Sequence, residues 1–146
     1  DIEVVYAVHF NPAVREVANR ILGNHERIHL VDPLDIVNMH NLMNLSYMVM
    51  TDSGGLQEEV PSMGKPVLVL RNVTERPEGV EAGTLKLAGV NEDEIYAQAK
   101  ELLENKESYD KMVAAKNPFG DGYAAERIVE AIRYHFGFRS DRPEDY

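Results

Sequence analysis

The chain has 146 residues, 44% of them apolar, and a formal net charge of −10, which suits one globular domain with a sizeable core and disfavours a nucleic-acid partner. It contains no cysteine; disulfides, thiol chemistry and cysteine-ligated metal are excluded, and a reducing cytoplasm is the expected setting. The five histidines include no HExxH pair and the acidic residues no EF-hand spacing, no apolar run is long enough to cross a bilayer, and no signal-peptide pattern opens the chain, so neither a metal nor a membrane partner is expected. A chain that opens within two residues of a strand reads as the back half of something larger.

Residues 2–8 read as a buried strand, and Asn11-Pro12 supplies an N-cap and a first-turn proline for a helix whose Val14, Val17, Ala18, Ile21 and Leu22 share one face. Gly23 ends that helix. Residues 27–31 form a second short strand, and Asp32-Pro33-Leu34-Asp35 opens a helix reaching about Leu45. A third strand at 47–50 leads into a short helix over 55–63 stopped by Gly64, and residues 66–70 make a fourth strand of the continuous apolar kind found in parallel sheets. Residues 72–83 read as a polar loop, 84–87 as a fifth strand, and Asn91 with Glu94 as the cap of the next helix. Ser108 is the expected cap of a helix over 109–116. A last helix carries the apolar stripe Ala125, Ile128, Val129, Ile132 and Phe136, and residues 138–146 form a charged, mobile tail.

Repeated strand-helix units predict an α/β fold, a Rossmann-like parallel sheet with helices on both faces and ligands outside the carboxyl ends of the strands. Thr51-Asp52-Ser53-Gly54-Gly55 falls at such an end, where a buried strand hands over to a helix. Backbone N–H groups at Ser53, Gly54 and Gly55 would face the helix start with its partial positive charge, and glycine admits a diphosphate without meeting a Cβ. Glu58 and Glu59 follow, suited to accept hydrogen bonds from sugar hydroxyls. The same spacing also fits a plain glycine turn before an acidic helix start. His9 closes the first strand, and Arg71 with Thr74-Glu75-Arg76-Pro77-Glu78 closes the fourth; the GxGxxG and GxxxxGK[ST] fingerprints are both missing.

Taken in order, Tyr6-Ala7-Val8-His9 with Asn11-Pro12, residues 51–59, residues 64–71 and Thr74-Glu75-Arg76-Pro77-Glu78 closely resemble the non-hydrolysing UDP-N-acetylglucosamine 2-epimerases. Glu81-Ala82-Gly83-Thr84 and residues 117–122 fit as well, so the resemblance runs through about residues 2–137. It implies that residues 1–137 are the C-terminal, UDP-binding half of a two-domain glycosyltransferase-B type fold. The implied reaction interconverts UDP-N-acetylglucosamine and UDP-N-acetylmannosamine by loss and re-addition of UDP, in service of cell-envelope polysaccharide synthesis. The carboxylates that act at C2 belong to the N-terminal domain, so this half is expected to be inactive without that partner. A homodimer of the full enzyme is also implied, whereas no cofactor or metal is.

The resemblance further implies roles for single residues. Ser53, Gly54, Gly55 and Arg76 would hold the diphosphate, Glu59 the ribose hydroxyls, and the backbone near Met39 the uracil. His9 alone reads as a structural or solvated strand-end residue; the matching family histidine lies near the diphosphate, which makes His9 the catalytic candidate of this half. Two departures stand out: Ala7 where the family has proline, and Asn72-Val73 where it has Asp-Thr. Two other readings remain at this point. One is the C-terminal half of a glycosyltransferase-B sugar transferase; the other is a nucleotide-binding module that folds alone and does no chemistry.

Overall fold

The computed structural model describes residues 2–144; Asp1, and Asp145 and Tyr146 of the expected tail, lie outside them. The described chain divides into two compact units, one running to Leu42 and the other starting at Met43. The first contains β1 (Val4–Ala7), α1 (Pro12–Leu22) and β2 (Ile28–Val31). β1 and β2 pair in parallel, with Val4 opposite Ile28 and Ala7 opposite Val31. The Asn11 side chain accepts a hydrogen bond from the Ala13 N–H at 3.0 Å, and Pro12 occupies a first-turn position where an N–H would have no partner. β1 is not the buried strand that its apolar run predicts. Val4 and Val5 are each 42% exposed, because apolar composition records a preference for burial and not what is there to supply it.

Asp32 is paired with Arg15, whose guanidinium also lies over the Phe10 ring, 4.7 Å from its centroid. The cap of α2 (Ile36–Leu45) is therefore Asp35, whose carboxylate accepts from the Asn38 N–H at 3.0 Å. That bond from the Asn38 backbone, with a second from its side chain, lowers the Asp35 pKa. α2 carries the chain from the first unit into the second.

In the second unit, β3 (Val49–Thr51), β4 (Val67–Val69) and β5 (Leu85–Leu87) form a parallel sheet in the order β3-β4-β5. The parallel strands form a pair in the first unit and a triplet in the second, the α/β arrangement of parallel strands and helices that the sequence predicts. β4 is the centre of the triplet. Val67, Leu68 and Val69 are all fully buried, and since successive strand residues point to opposite faces, both faces of β4 are covered. On one face Leu68 packs with Ala88 and with Leu102 of α5 (Glu92–Glu104), surrounded by Met48, Ile95, Ala99 and Met112. β3 starts later than its apolar run suggests because Tyr47 is held elsewhere. Its ring stacks on Tyr109 at 4.2 Å, its hydroxyl donates to the Leu102 carbonyl, and its own carbonyl accepts from the Tyr109 hydroxyl.

Several helix boundaries differ from the local reading, each for an identifiable reason. α3 (Gly54–Glu59) gives way to a 3-10 turn, Val60–Met63, that has Pro61 in its first positions and ends at Gly64 with φ of 65°. The supposed loop after β4 contains α4 (Pro77–Ala82), which starts on Pro77 and ends at left-handed Gly83. α6 (Lys106–Val113) is capped by Asn105, which accepts from the Glu107 and Ser108 amides at 3.1 and 3.2 Å, while the Ser108 hydroxyl donates to Glu101. Asn91 caps α5 as read, accepting from the Glu94 N–H at 3.2 Å. The stripe on α7 (Ala124–His135) and beyond is present but exposed: Ile128, Val129, Ile132 and Phe136 are each more than half accessible. Past it, Arg139 donates to Glu130 at 2.6 Å.

α4 sits tightly on β5. A Cβ added at Gly79 would come within 2.4 Å of Leu85 Cδ1 and 3.0 Å of Phe119 Cζ. Gly79→Ala should therefore destabilise the chain by about 1–3 kcal/mol through overpacking. Urea unfolding followed by far-UV circular dichroism should show a lower midpoint with an unchanged slope; an unchanged midpoint would mean that α4 is free to lift from β5.

Candidate functional site

The parallel pairing of β3 with β4 brings two carboxyl-terminal connections side by side, the turn into α3 and the loop into α4. The Leu70 N–H donates to the Thr51 carbonyl at 3.0 Å, which ties the ends of the two strands together. Thr51 is buried, and its hydroxyl oxygen accepts from the Ser53 N–H at 3.0 Å. The Ser53 amide is thus not open at the helix start as the sequence reading supposed. Ser53 is the N-cap of α3, yet its hydroxyl makes no capping bond, and its carbonyl accepts from the Gln57 N–H at 3.3 Å. Among the described residues the Gly54 and Gly55 amides have no protein acceptor, which leaves two donors at the positive end of α3.

Glycine leaves both positions without a Cβ, and polar side chains stand close beside each. Where a Cβ would stand on Gly55, Glu59 Oε1 is 3.8 Å away and Ser53 Oγ 4.0 Å, so a hydroxyl and a carboxylate flank it. Where a Cβ would stand on Gly54, Glu75 Oε1 is only 2.7 Å away. Glu75 accepts from Arg71 Nη1 at 2.8 Å. Its own backbone amide, and then the charges of Arg71 and Arg76, hold its carboxyl below the usual glutamate range.

Arg76 is half-buried. Its Nε donates to Glu58 and its Nη1 to the Glu75 carbonyl at 3.1 Å. This assigns different work to the two carboxylates that the sequence presented as a pair: Glu58 orients the guanidinium, and Glu59 lies by the glycine turn. Ser53, Gly54, Gly55, Glu59 and Arg76 thus all gather around α3. Three further residues hold this arrangement, and sequence reasoning missed them: Thr51, Gln57 and Thr74. The Thr74 hydroxyl donates to Gln57 Oε1 and accepts from the Arg76 N–H at 3.0 Å.

The other two candidates belong to the first unit. His9 follows β1, is exposed, and accepts on Nδ1 from the Asn11 N–H at 3.1 Å. With that lone pair engaged, the proton of the neutral ring sits on Nε2. Met39 is half-buried in α2, and its N–H is already donated to the Asp35 carbonyl at 2.8 Å. Among the described residues no group of three or more His, Asp or Glu is arranged to hold a metal ion, and no helix is long and apolar enough to cross a membrane.

A family model described as UDP-N-acetylglucosamine 2-epimerase matches residues 1–133. The UDP-N-acetylglucosamine 2-epimerase of Bacillus subtilis is 55% identical over all 146 residues, which amount to 38% of its length. Among solved structures, the S. aureus MnaA-UDP co-structure superposes with a TM-score of 0.92 at 55% identity, covering 100% of this chain and 40% of that one. The UDP-GlcNAc 2-epimerase from Neisseria meningitidis bound to UDP-GlcNAc gives 0.82 at 44% identity, covering 89% of this chain and 36% of that one. The chain therefore spans well under half the length of these relatives.

The Glu75 environment can be tested by titration. Its carboxyl should titrate below the ordinary glutamate range when followed by carbon-detected NMR, and Arg71→Ala should move it upward. Because the folded pKa is depressed, what Glu75 contributes to stability is present above its unfolded pKa and is lost as pH falls through the folded one. An unshifted Glu75 in the wild-type chain would remove the Arg71 pairing from the site.

Proposed function

As the chain belongs to the UDP-N-acetylglucosamine 2-epimerase family, we propose that its second unit grips the diphosphate and ribose of UDP and of a UDP-N-acetylhexosamine. The observation that carries this is the pair of open amides at Gly54 and Gly55, with Arg76 anchored to one side and Glu59 one turn further along α3. Two N–H groups at a helix start, a guanidinium and a hydroxyl match a diphosphate in charge and in number of donors. The Glu59 carboxylate is an acceptor and so matches the ribose hydroxyls.

In the reaction proposed for the complete enzyme, UDP leaves from C1 of the sugar, the configuration at C2 inverts, and UDP adds back. Cleavage of the anomeric C–O bond moves negative charge onto the diphosphate. The Gly54 and Gly55 amides and Arg76 are fixed in place before that charge develops, and removing one such preorganised donor typically raises a barrier by about 2.7–4 kcal/mol. No cofactor or metal takes part in this scheme. For the first unit, we assign His9 to proton handling through Nε2, and the backbone near Met39, whose own N–H is already used, to the uracil. The C2 proton transfer is assigned to carboxylates in a further domain, so this chain alone binds without turnover; conversion of UDP-N-acetylglucosamine by the purified chain would refute that.

Titration calorimetry tests the grip. UDP should bind clearly more tightly than UMP, because the α3 start recognises the second phosphate. Equal affinities would sink the seat at Ser53, Gly54 and Gly55. Glu59→Ala should cost about 1.5–3 kcal/mol of UDP binding, the range for hydrogen bonds to a charged group. The mutant should also lose discrimination between UDP and 2′-deoxy-UDP; if it discriminates as well as wild type, Glu59 serves only to stabilise its helix.

A further inference from the structure

Gln57 is among the largest fully buried side chains of the molecule, at 0% exposure, and it is polar. It lies three residues before Val60, which is also fully buried, on the inward side of the chain segment that follows the glycine turn. Packing alone would favour leucine or methionine there, because a buried amide is costly unless its donors and acceptor are used. Both ends are used. Nε2 donates to the Ser53 carbonyl at 3.3 Å, and Oε1 accepts from the Thr74 hydroxyl. The Thr74 oxygen in turn accepts from the Arg76 N–H at 3.0 Å. The direction of every bond in this chain is determined: a backbone N–H can only donate and a backbone carbonyl only accept, so the hydroxyl proton must point to Oε1 and the amide nitrogen to Ser53.

We infer that Gln57 is a positioning residue for UDP: without touching the nucleotide, it holds the Ser53-Gly54-Gly55 turn and the Arg76 backbone in the one arrangement in which both grip the same diphosphate. The inference rests on the UDP-binding reading given above. Two other side-chain bonds fix each piece separately, the turn through the Thr51 hydroxyl and the Arg76 side chain through the Glu58 carboxylate. Among the described residues, the side-chain link from the turn to the Arg76 backbone runs through Gln57 and Thr74. Breaking it at either end frees the same motion, so the two residues act as one unit.

The experiment uses the 146-residue chain with UDP and UMP as probes. Gln57→Met keeps length and volume but loses both hydrogen bonds; Thr74→Val breaks the link from its half-buried end and serves if the first variant does not fold. Circular dichroism melts establish folding. In each folded variant the UDP Kd should rise about tenfold, the size of one lost hydrogen bond's worth of alignment, while the UMP Kd moves less than about twofold. The double variant should be no worse than either single one, since the link can be broken only once. Parallel losses for UDP and UMP, additive losses, or unchanged UDP binding would each overturn the positioning role. A wild-type chain that does not prefer UDP to UMP would overturn the underlying reading first, before any substitution is compared.

Discussion

Parallel pairing of one fully buried strand is the constraint on which the candidate site depends. Val67, Leu68 and Val69 have neighbours on both edges and cover on both faces, so β4 has almost no freedom to slide or tilt. Because β3 runs parallel to it, with Thr51 opposite Val69, the two chains leave the sheet on the same side. Residues separated by some twenty positions in sequence then become neighbours: the turn at 51–55 meets the loop at 71–76. An antiparallel partner would have sent one of these connections to the opposite end of the sheet.

The side chains of that corner do not reverse the overall charge: Arg71 and Arg76 stand among Glu58, Glu59 and Glu75. A chain of net charge −10 is a poor global attractor for a diphosphate, so any affinity must come from groups within a few ångströms. Two arginines stand at that corner, and each is already held by a carboxylate, Arg71 by Glu75 and Arg76 by Glu58. These pairs are partly exposed, and such pairs contribute little to stability. Their significance is geometric. A guanidinium fixed through one edge has lost its rotamer freedom before a ligand arrives, which lowers the entropy cost of binding. The open amides at Gly54 and Gly55 need no such restraint, because the helix itself directs them.

Local features were legible in the sequence and long-range ones were not. The Asn11-Pro12 and Asn91 caps, the glycine turn and the apolar β4 were each readable because cause and effect lie within four residues. α4 was misread because Pro77, Gly79 and Gly83 have loop composition, although Pro77 starts the helix, Gly83 ends it and Gly79 is required by Leu85. At Asp32 and Ser108 a plausible cap was diverted, one to Arg15 and the other to Glu101. Gln57 and the split of work between Glu58 and Glu59 had no local signal. A glutamine beside two glutamates carries no local sign of burial, and the partner of its Oε1, the Thr74 hydroxyl, is brought over by the fold. For α7 the periodicity identified the apolar face correctly but carried no information about what covers it.

Whether UDP sits on the start of α3 can be read from the amide spectrum of the chain, with backbone resonances assigned and UDP added in steps. The largest shifts should fall on the Gly54 and Gly55 amides and on the Arg76 side chain, with the Ser53 amide, already bonded to Thr51, moving less. UDP binding that leaves the Gly54 and Gly55 resonances in place and shifts residues elsewhere would contradict that placement.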